Sequence, residues 1–432
     1  MSVDRTVLSI RDFRVIKKAD ITLSGITVVS GVNGCGKSTM SKLLYYIFKE
    51  SASYENLLLK YFNEATSDYR SLLMQIYQLG VRNISSRPLL RYSFALRSFE
   101  PDDVREFKAR VDEIIGKFLQ MAHTGVPGLA RIHKIAESIL GLHNEDSSSD
   151  DIALAIKEKY ETVFEEIEAL TDRRPFKLLK KSVSDRFRTE IKGVEVSEFE
   201  ELIFGDNLDY ATEPHAIKKV LYFDTPMAMG LDDIVDAPDY WSELNNIMRH
   251  PNIGISEDDG LLALIRANIK GEVVYDDESI SQDFIFKSDT GEIFDIMDCA
   301  TGIKSFAILQ LLIKNNYLDK STLLIIDEPE AHLHPQWVVE YARLIVLINK
   351  VFKVKFFIAS HSTDMVSAIR YISEKEGSLS DVGFYVAEGD KSGKFSFNYL
   401  DDDIEPIFES FNKSFDKVAK YSRREDEYDK EI

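Results

Sequence analysis

The chain has 432 residues, 44% of them hydrophobic, which is enough for two or three structural units with a sizeable core. Its formal charge of −20 excludes wholesale coating of nucleic acid, because every phosphate contact needs a local cation. Two cysteines, Cys35 and Cys299, make neither a disulfide framework nor a four-ligand zinc spacing. No run approaches the roughly 18 uninterrupted apolar residues of a bilayer span, and the start at Met1 lacks an apolar signal core. The expectation is therefore a cytoplasmic protein without membrane contact.

Residues 7–13 and 19–27 read as a first pair of strands, and the apolar, β-branched run 26–30 leads into Gly31-Val32-Asn33-Gly34-Cys35-Gly36-Lys37-Ser38-Thr39. That stretch satisfies G-x-x-x-x-G-K-[ST] at every fixed position, and a helical pattern over residues 40–49 completes the order strand, loop, helix. The pattern implies binding of a nucleoside triphosphate, ATP, with Mg²⁺. Glycines let successive backbone N–H groups turn inward around phosphate oxygens, Lys37 reaches the β- and γ-phosphates, and the Ser38 hydroxyl ligates the metal. A Cβ at Gly36 is expected to fall where phosphate must lie. Asn33, Gly34, Cys35 and Thr39 complete the expected cradle, and the Cys35 thiol, at a variable loop position, reads as inert.

A long helical region follows. Phe107, Val111, Ile114 and Phe118 recur at helical spacing, as do Ile156, Tyr160, Val163, Ile167 and Leu170, so two helices pack on one another. The acidic, serine-rich residues 144–151 between them read as an exposed loop. Residues 173–192 carry eight cations and two carboxylates, a net +6 island in an acidic chain. A solvated helix face explains such a run; contact with DNA or an acidic protein is the functional reading.

The strand-like run 219–224 stops at Thr225-Pro226 and marks a return to a sheet. Residues 271–294 alternate like a hairpin with Asp289-Thr290-Gly291 as its turn. Then come a helix from about Ile303, a strand at 322–326, a helix after Pro335 and a strand at 355–360. Strands alternating with helices imply an α/β, mostly parallel, doubly wound core. Residues 1–49 and 217–432 are expected to form it as two segments of one domain, with 50–216 as a helical insertion.

Three segments near the end carry chemistry. The strand 322–326 runs into Asp327-Glu328: the first carboxylate can hold Mg²⁺, and the second can polarise the attacking water. The strand 356–360 delivers His361 to the carboxyl edge of the sheet, where α/β folds bind ligands and where it can contact the γ-phosphate and hold the attacking water in line. Thr301, Gly302 and Lys304 open a helix, a natural anion site, although on this segment alone an ordinary cap is the favoured explanation. His332 and His334 stand two apart in a loop and point in different directions, which disfavours a metal pair.

Together these segments resemble the ABC-type ATPase superfamily, in its SMC-like and RecF-like branch. The loop 31–39 looks like the Walker A motif, 323–328 the Walker B strand, Thr301 to Lys304 a degenerate signature and His361 the switch histidine. The order Thr-Gly-x-Lys, then Asp-Glu-Pro-Glu-x-His-Leu-His-Pro, then Ser-His-Ser is similar to the stand-alone ATPases of bacterial anti-phage defence related to the OLD nucleases, PtuA and AriA. The resemblance covers about the first 50 and last 215 residues. It implies an ATP-hydrolysing head with an antiparallel β subdomain, whose composite sites form between two copies. The phosphate loop, Asp327, Glu328 and His361 of one copy would meet Thr301, Gly302 and Lys304 of the other. It further implies a sensor or regulator working with a separate nuclease or toxin. A DNA-repair head and a transport motor are the alternatives, the latter disfavoured because Ile303 replaces the second signature glycine. The glutamine that usually completes the Mg²⁺ shell has no clear place; Gln75 and Gln78 are candidates.

Overall fold

The computed structural model describes residues 5–83, 104–142, 147–231, 238–251, 259–277, 283–331 and 333–409. The chain divides into two compact units, Met1–Ala52 with Lys180–Ile432, and Ser53–Leu179.

The first unit is built on a ten-stranded sheet of order β5-β4-β1-β2-β13-β12-β3-β11-β10-β6. Its strands are β1 (Thr6–Phe13), β2 (Ile16–Leu23), β3 (Ile26–Ser30), β4 (Val194–Glu198), β5 (Glu201–Phe204), β6 (Lys219–Phe223), β10 (Thr322–Asp327), β11 (Lys355–Ser360), β12 (Val382–Gly389) and β13 (Phe395–Tyr399). From β12 through β3, β11 and β10 to β6 every pairing is parallel. Here β3 and β10 are buried at every position and β11 at all but its first, as continuous apolar runs must be when both faces are covered. At the other end β1, β2, β4 and β5 pair antiparallel. A separate three-stranded antiparallel sheet joins β7 (Gly271–Tyr275), β8 (Phe284–Ser288) and β9 (Ile293–Asp295). The hairpin expected over 271–294 is thus a meander, and the turn at 289–291 joins its last two strands.

Helices α1 (Lys37–Ala52), α10 (Thr301–Lys314), α11 (Pro335–Phe352) and α12 (Thr363–Lys375) alternate with the parallel strands. One apolar core fills the space between, taking Phe306, Leu309 and Leu312 from α10, Tyr341, Leu344 and Ile348 from α11, and Leu324, Ile326 and Ile358 from the sheet.

The boundary expected at 217 lies earlier here, because β4 and β5 fall inside 50–216 yet belong to the large sheet. Val194 and Val196 alternate with polar neighbours as a half-buried strand does, and β4 pairs with β1. The buried Glu198 carboxylate then accepts the backbone N–H groups of His215, Ala216 and Ile217, tying the return segment to β4.

The second unit is helical: α2 (Tyr54–Ala65), α3 (Ser67–Asn83), α4 (Val104–Thr124), α5 (Leu129–Leu140) and α6 (Ser149–Arg173). Both stripes read from spacing contribute to its core; Val163 packs against it partly buried, and its neighbour Phe164 is buried and stacked on Phe62 at 5.7 Å. Ser148 begins α6 with a capping box to Asp151, so the expected loop at 144–151 ends in a helix; residues 143–146 lie outside the described set.

Candidate functional site

The phosphate loop leaves β3 at Gly31 and enters α1 at Lys37, between the neighbouring strands β11 and β12. Lys37 is 5% exposed, and its Nζ donates to the carbonyls of Gly31 at 2.7 Å and Val32 at 3.3 Å, so the ammonium spans the loop from within. Gly36 has φ +107°, a region side chains rarely adopt, and a Cβ there would stand 2.6 Å from Ile16 Cγ1 and 3.3 Å from Val15 Cγ2. The close approach that requires glycine is therefore to the β1–β2 turn, and not to phosphate alone as the spacing suggested. Cys35 is buried, and burial pushes its thiol up.

Asp327 ends β10 and is 6% exposed. Its carboxylate accepts from Ser38, from Ser41 Oγ at 3.4 Å and from Tyr222 OH at 3.2 Å. Burial raises its proton affinity, and the Ser38 and Tyr222 hydrogen bonds partly oppose the shift. A serine hydroxyl beside a buried carboxylate is a hard-oxygen donor pair, which fits Mg²⁺. Glu328 takes φ +50°, left-handed for a non-glycine, while its N–H donates to Ala359 O at 2.8 Å. The ladder from β10 to β11 thus runs one residue past the strand, and the backbone then swings the Glu328 carboxylate outward, 41% exposed.

His361 follows β11, and its Nδ1 lies 3.4 Å from Glu328 Oε1 and 3.3 Å from Glu330 Oε1. Glu330 Oε1 accepts from the His361 backbone N–H at 2.8 Å and from Ser360 Oγ at 2.9 Å. The structure thereby brings Ser38, Asp327, Glu328 and His361 to the carboxyl edge of adjacent strands.

Thr301 and Gly302 open α10, whose cap residue Ala300 offers no side-chain hydrogen bond. A Cβ on Gly302 would meet the Trp337 ring at 2.6 Å and Leu333 Cδ2 at 3.3 Å, so this turn packs against the segment that follows Glu330. Lys304 is 1% exposed and its Nζ donates to Met297 O at 3.2 Å; the side chain turns inward instead of presenting its cation at the surface. His334 caps α11 by accepting from Gln336 N, and His332 lies outside the described residues.

Spacing did not single out Asp224. It follows β6, which pairs in parallel with β10, so Asp224 and Asp327 end neighbouring strands. Asp224 accepts from Tyr240 OH at 2.7 Å and Trp241 Nε1 at 3.0 Å, both on α8 (Asp239–Arg249), and the Tyr240 ring lies 4.6 Å from that of Tyr222. A carboxylate closing an apolar strand was the available signal, as at Asp327. Gln75 and Gln78 lie on α3 of the helical unit.

In the cationic stretch, Lys180 pairs with Asp206 at 2.8 Å, Arg186 with Asp239, and Lys192 with Glu190 at 2.8 Å. Lys177 and Lys181 are exposed, four apart on α7 (Phe176–Phe187).

A family model described as an AAA ATPase domain matches residues 6–248 and 239–366. No curated protein matches the chain. Among solved structures, the chain is similar to the SMC head domain from Thermotoga maritima, at 9% identity and a TM-score of 0.37, covering 92% of this chain and 98% of that one. It is similar also to an Smc head domain with an extended coiled coil, bound to the C-terminal domain of ScpA, from Pyrococcus furiosus. There the identity is 12% and the TM-score 0.35, covering 97% of this chain and 99% of that one. An ATP-binding cassette of an ABC transporter in its ADP conformation matches at 10% identity and 0.34, covering 95% and 99%.

Proposed function

The chain belongs to the AAA ATPase domain family, and from that premise we propose that two copies of it close around ATP and reopen on hydrolysis. It is an ATPase, and the observation that carries the assignment of roles is the convergence of Ser38, Ser41 and Tyr222 on Asp327 beside the Glu328–His361 pair. In this reading the phosphate loop and Lys37 hold the triphosphate. Ser38 and Asp327 would hold Mg²⁺, which supplies charge neutralisation across the phosphate oxygens when bound. Glu328, exposed at the strand end, takes a proton from the attacking water, and His361 holds that water in line with the γ-phosphate.

Thr301, Gly302 and Lys304 act on the nucleotide of the other copy. What supports this is the helix start without a side-chain cap, whose N–H groups suit an anion. Lys304 must then turn out from Met297 on closure. The test is light scattering of a Glu328→Gln variant with ATP: nucleotide-dependent doubling of mass supports the composite site. Loss of that doubling on adding Thr301→Asp assigns the signature, and a monomer under all nucleotide conditions refutes the closure model.

The order of motifs supports a sensor or regulator of bacterial anti-phage defence, cytoplasmic, with a separate nuclease or toxin as effector. The exposed cations of residues 173–192 are the contact for DNA or an acidic protein. Phage plating on cells that carry the chain with its neighbouring genes tests the role; protection that survives Lys37→Ala would contradict it.

A further inference from the structure

Glu330 stands three residues past Asp327, and its side chain is only 8% exposed. Its two oxygens differ. Oε1 accepts from Ser360 Oγ and from the His361 backbone N–H, whereas Oε2 is buried without a hydrogen-bond partner among the described residues. His361 shows the mirror situation: its ring is 40% exposed, yet Nδ1 is buried and makes no hydrogen bond among the described residues. That nitrogen is within reach of Glu330 Oε1 at 3.3 Å and Glu328 Oε1 at 3.4 Å but lacks the alignment of a hydrogen bond to either; of the two carboxylates, Glu330 is the buried one with an unfilled oxygen, whereas Glu328 is open to water. An unfilled carboxylate oxygen and an unfilled ring nitrogen, both shut off from water, belong to two side chains that approach within 3.3 Å through Oε1. Each is costly alone, and with Oε1 already accepting two hydrogen bonds, a turn of the carboxylate and imidazole that offers Oε2 to Nδ1 would satisfy both.

We propose that Glu330 is a positioning residue for hydrolysis, its carboxylate accepting the Nδ1–H of His361. This fixes the tautomer and the plane of the ring, leaving Nε2 with a lone pair toward the water that Glu328 deprotonates. The backbone N–H and the ring of His361 are then held by one buried carboxylate, so the imidazole cannot swing independently of the end of β11. The inference rests on the role given to His361 above. A turn clip for Ser360 and the main chain is the purely structural alternative, and it involves Oε1 alone.

Glu330→Gln separates the two. The amide keeps an oxygen for Ser360 and the His361 N–H but puts an NH₂ group where Oε2 was, and that group cannot accept from Nδ1. We expect kcat to fall about 10- to 100-fold, the range for losing such an orienting partner, with KM for ATP unchanged within about twofold. In a His361→Ala background Glu330→Gln should add no further loss, since residues that act through one another are not additive. Independently of any variant, ¹⁵N spectra of histidine-labelled wild-type protein, with the His361 signal assigned by its loss in His361→Ala, should show the proton on Nδ1. The Nε2–H tautomer overturns the proposal, as does a full second loss from Glu330→Gln in the His361→Ala background. Wild-type kcat in His361→Ala overturns the role of His361 and this inference together. A lowered kcat there with an additive Glu330→Gln overturns this inference alone.

Discussion

Replacing Gly36 by alanine should destabilise the protein with no nucleotide present. The added Cβ would stand 2.6 Å from Ile16 Cγ1 and 3.0 Å from Ile16 Cδ1, and Ile16 is fully buried, so it has no open space into which to retreat. The backbone at φ +107° adds strain for any side chain. Overpacking of this kind costs about 1–3 kcal/mol and a disfavoured backbone about 1–3 kcal/mol, for a total of about 2–6 kcal/mol. At roughly 1.5 °C per kcal/mol for a unit of about 300 residues, the nucleotide-free melting temperature should drop by about 3–9 °C. Combining Gly36→Ala with Ile16→Ala should cost less than the two single losses added together, by about 0.5 kcal/mol or more. Differential scanning fluorimetry with and without ATP decides the point. If Gly36→Ala melts with the wild type in the absence of nucleotide and loses only the shift that ATP produces, the glycine serves phosphate alone and the packing argument is wrong.

Lys37→Ala should weaken ATP binding about 10- to 150-fold, the equivalent of a charge-assisted hydrogen bond worth about 1.5–3 kcal/mol, measured by calorimetry. Thr301→Asp should block ATP-driven association in light scattering while leaving the fold intact, because a carboxylate in a first helical turn stabilises that helix by about 0.3–1 kcal/mol. Gly302→Asp would be a poorer probe, since its side chain collides with Trp337. Lys177→Glu with Lys181→Glu should abolish salt-sensitive DNA binding in fluorescence anisotropy and spare basal ATP hydrolysis; Lys180 is left in place because it pairs with Asp206, which also holds Gly193 N–H.

The parts of this molecule legible in the sequence are those whose signal is local. A phosphate loop between a β-branched run and a helix, two carboxylates closing a six-residue apolar strand and a histidine closing another are all written within ten residues. The features that escaped depend on partners far along the chain. The five residues of β4 carry too short an alternation to announce a strand, and their place in the sheet comes from pairing with β1 near the start of the chain. Lys304 looks like a free cation beside an anion site until Met297 O is seen to hold it. Glu330 reads as one more acid in Asp-Glu-Pro-Glu, and its bond to His361 spans 31 residues with no periodicity to reveal it. Asp224 carried the same strand-end signal as Asp327 but lacked a second motif nearby to give it weight.

The most direct measurement is steady-state ATP turnover of Glu328→Gln alongside its affinity for ATP. Glu328 is the exposed carboxylate one residue beyond the buried Asp327, its backbone turned left-handed and its oxygen 3.4 Å from His361. If it takes the proton of the attacking water, turnover falls about 10²- to 10⁴-fold while ATP binds within a few-fold of wild type. Turnover at the wild-type rate in Glu328→Gln contradicts the account.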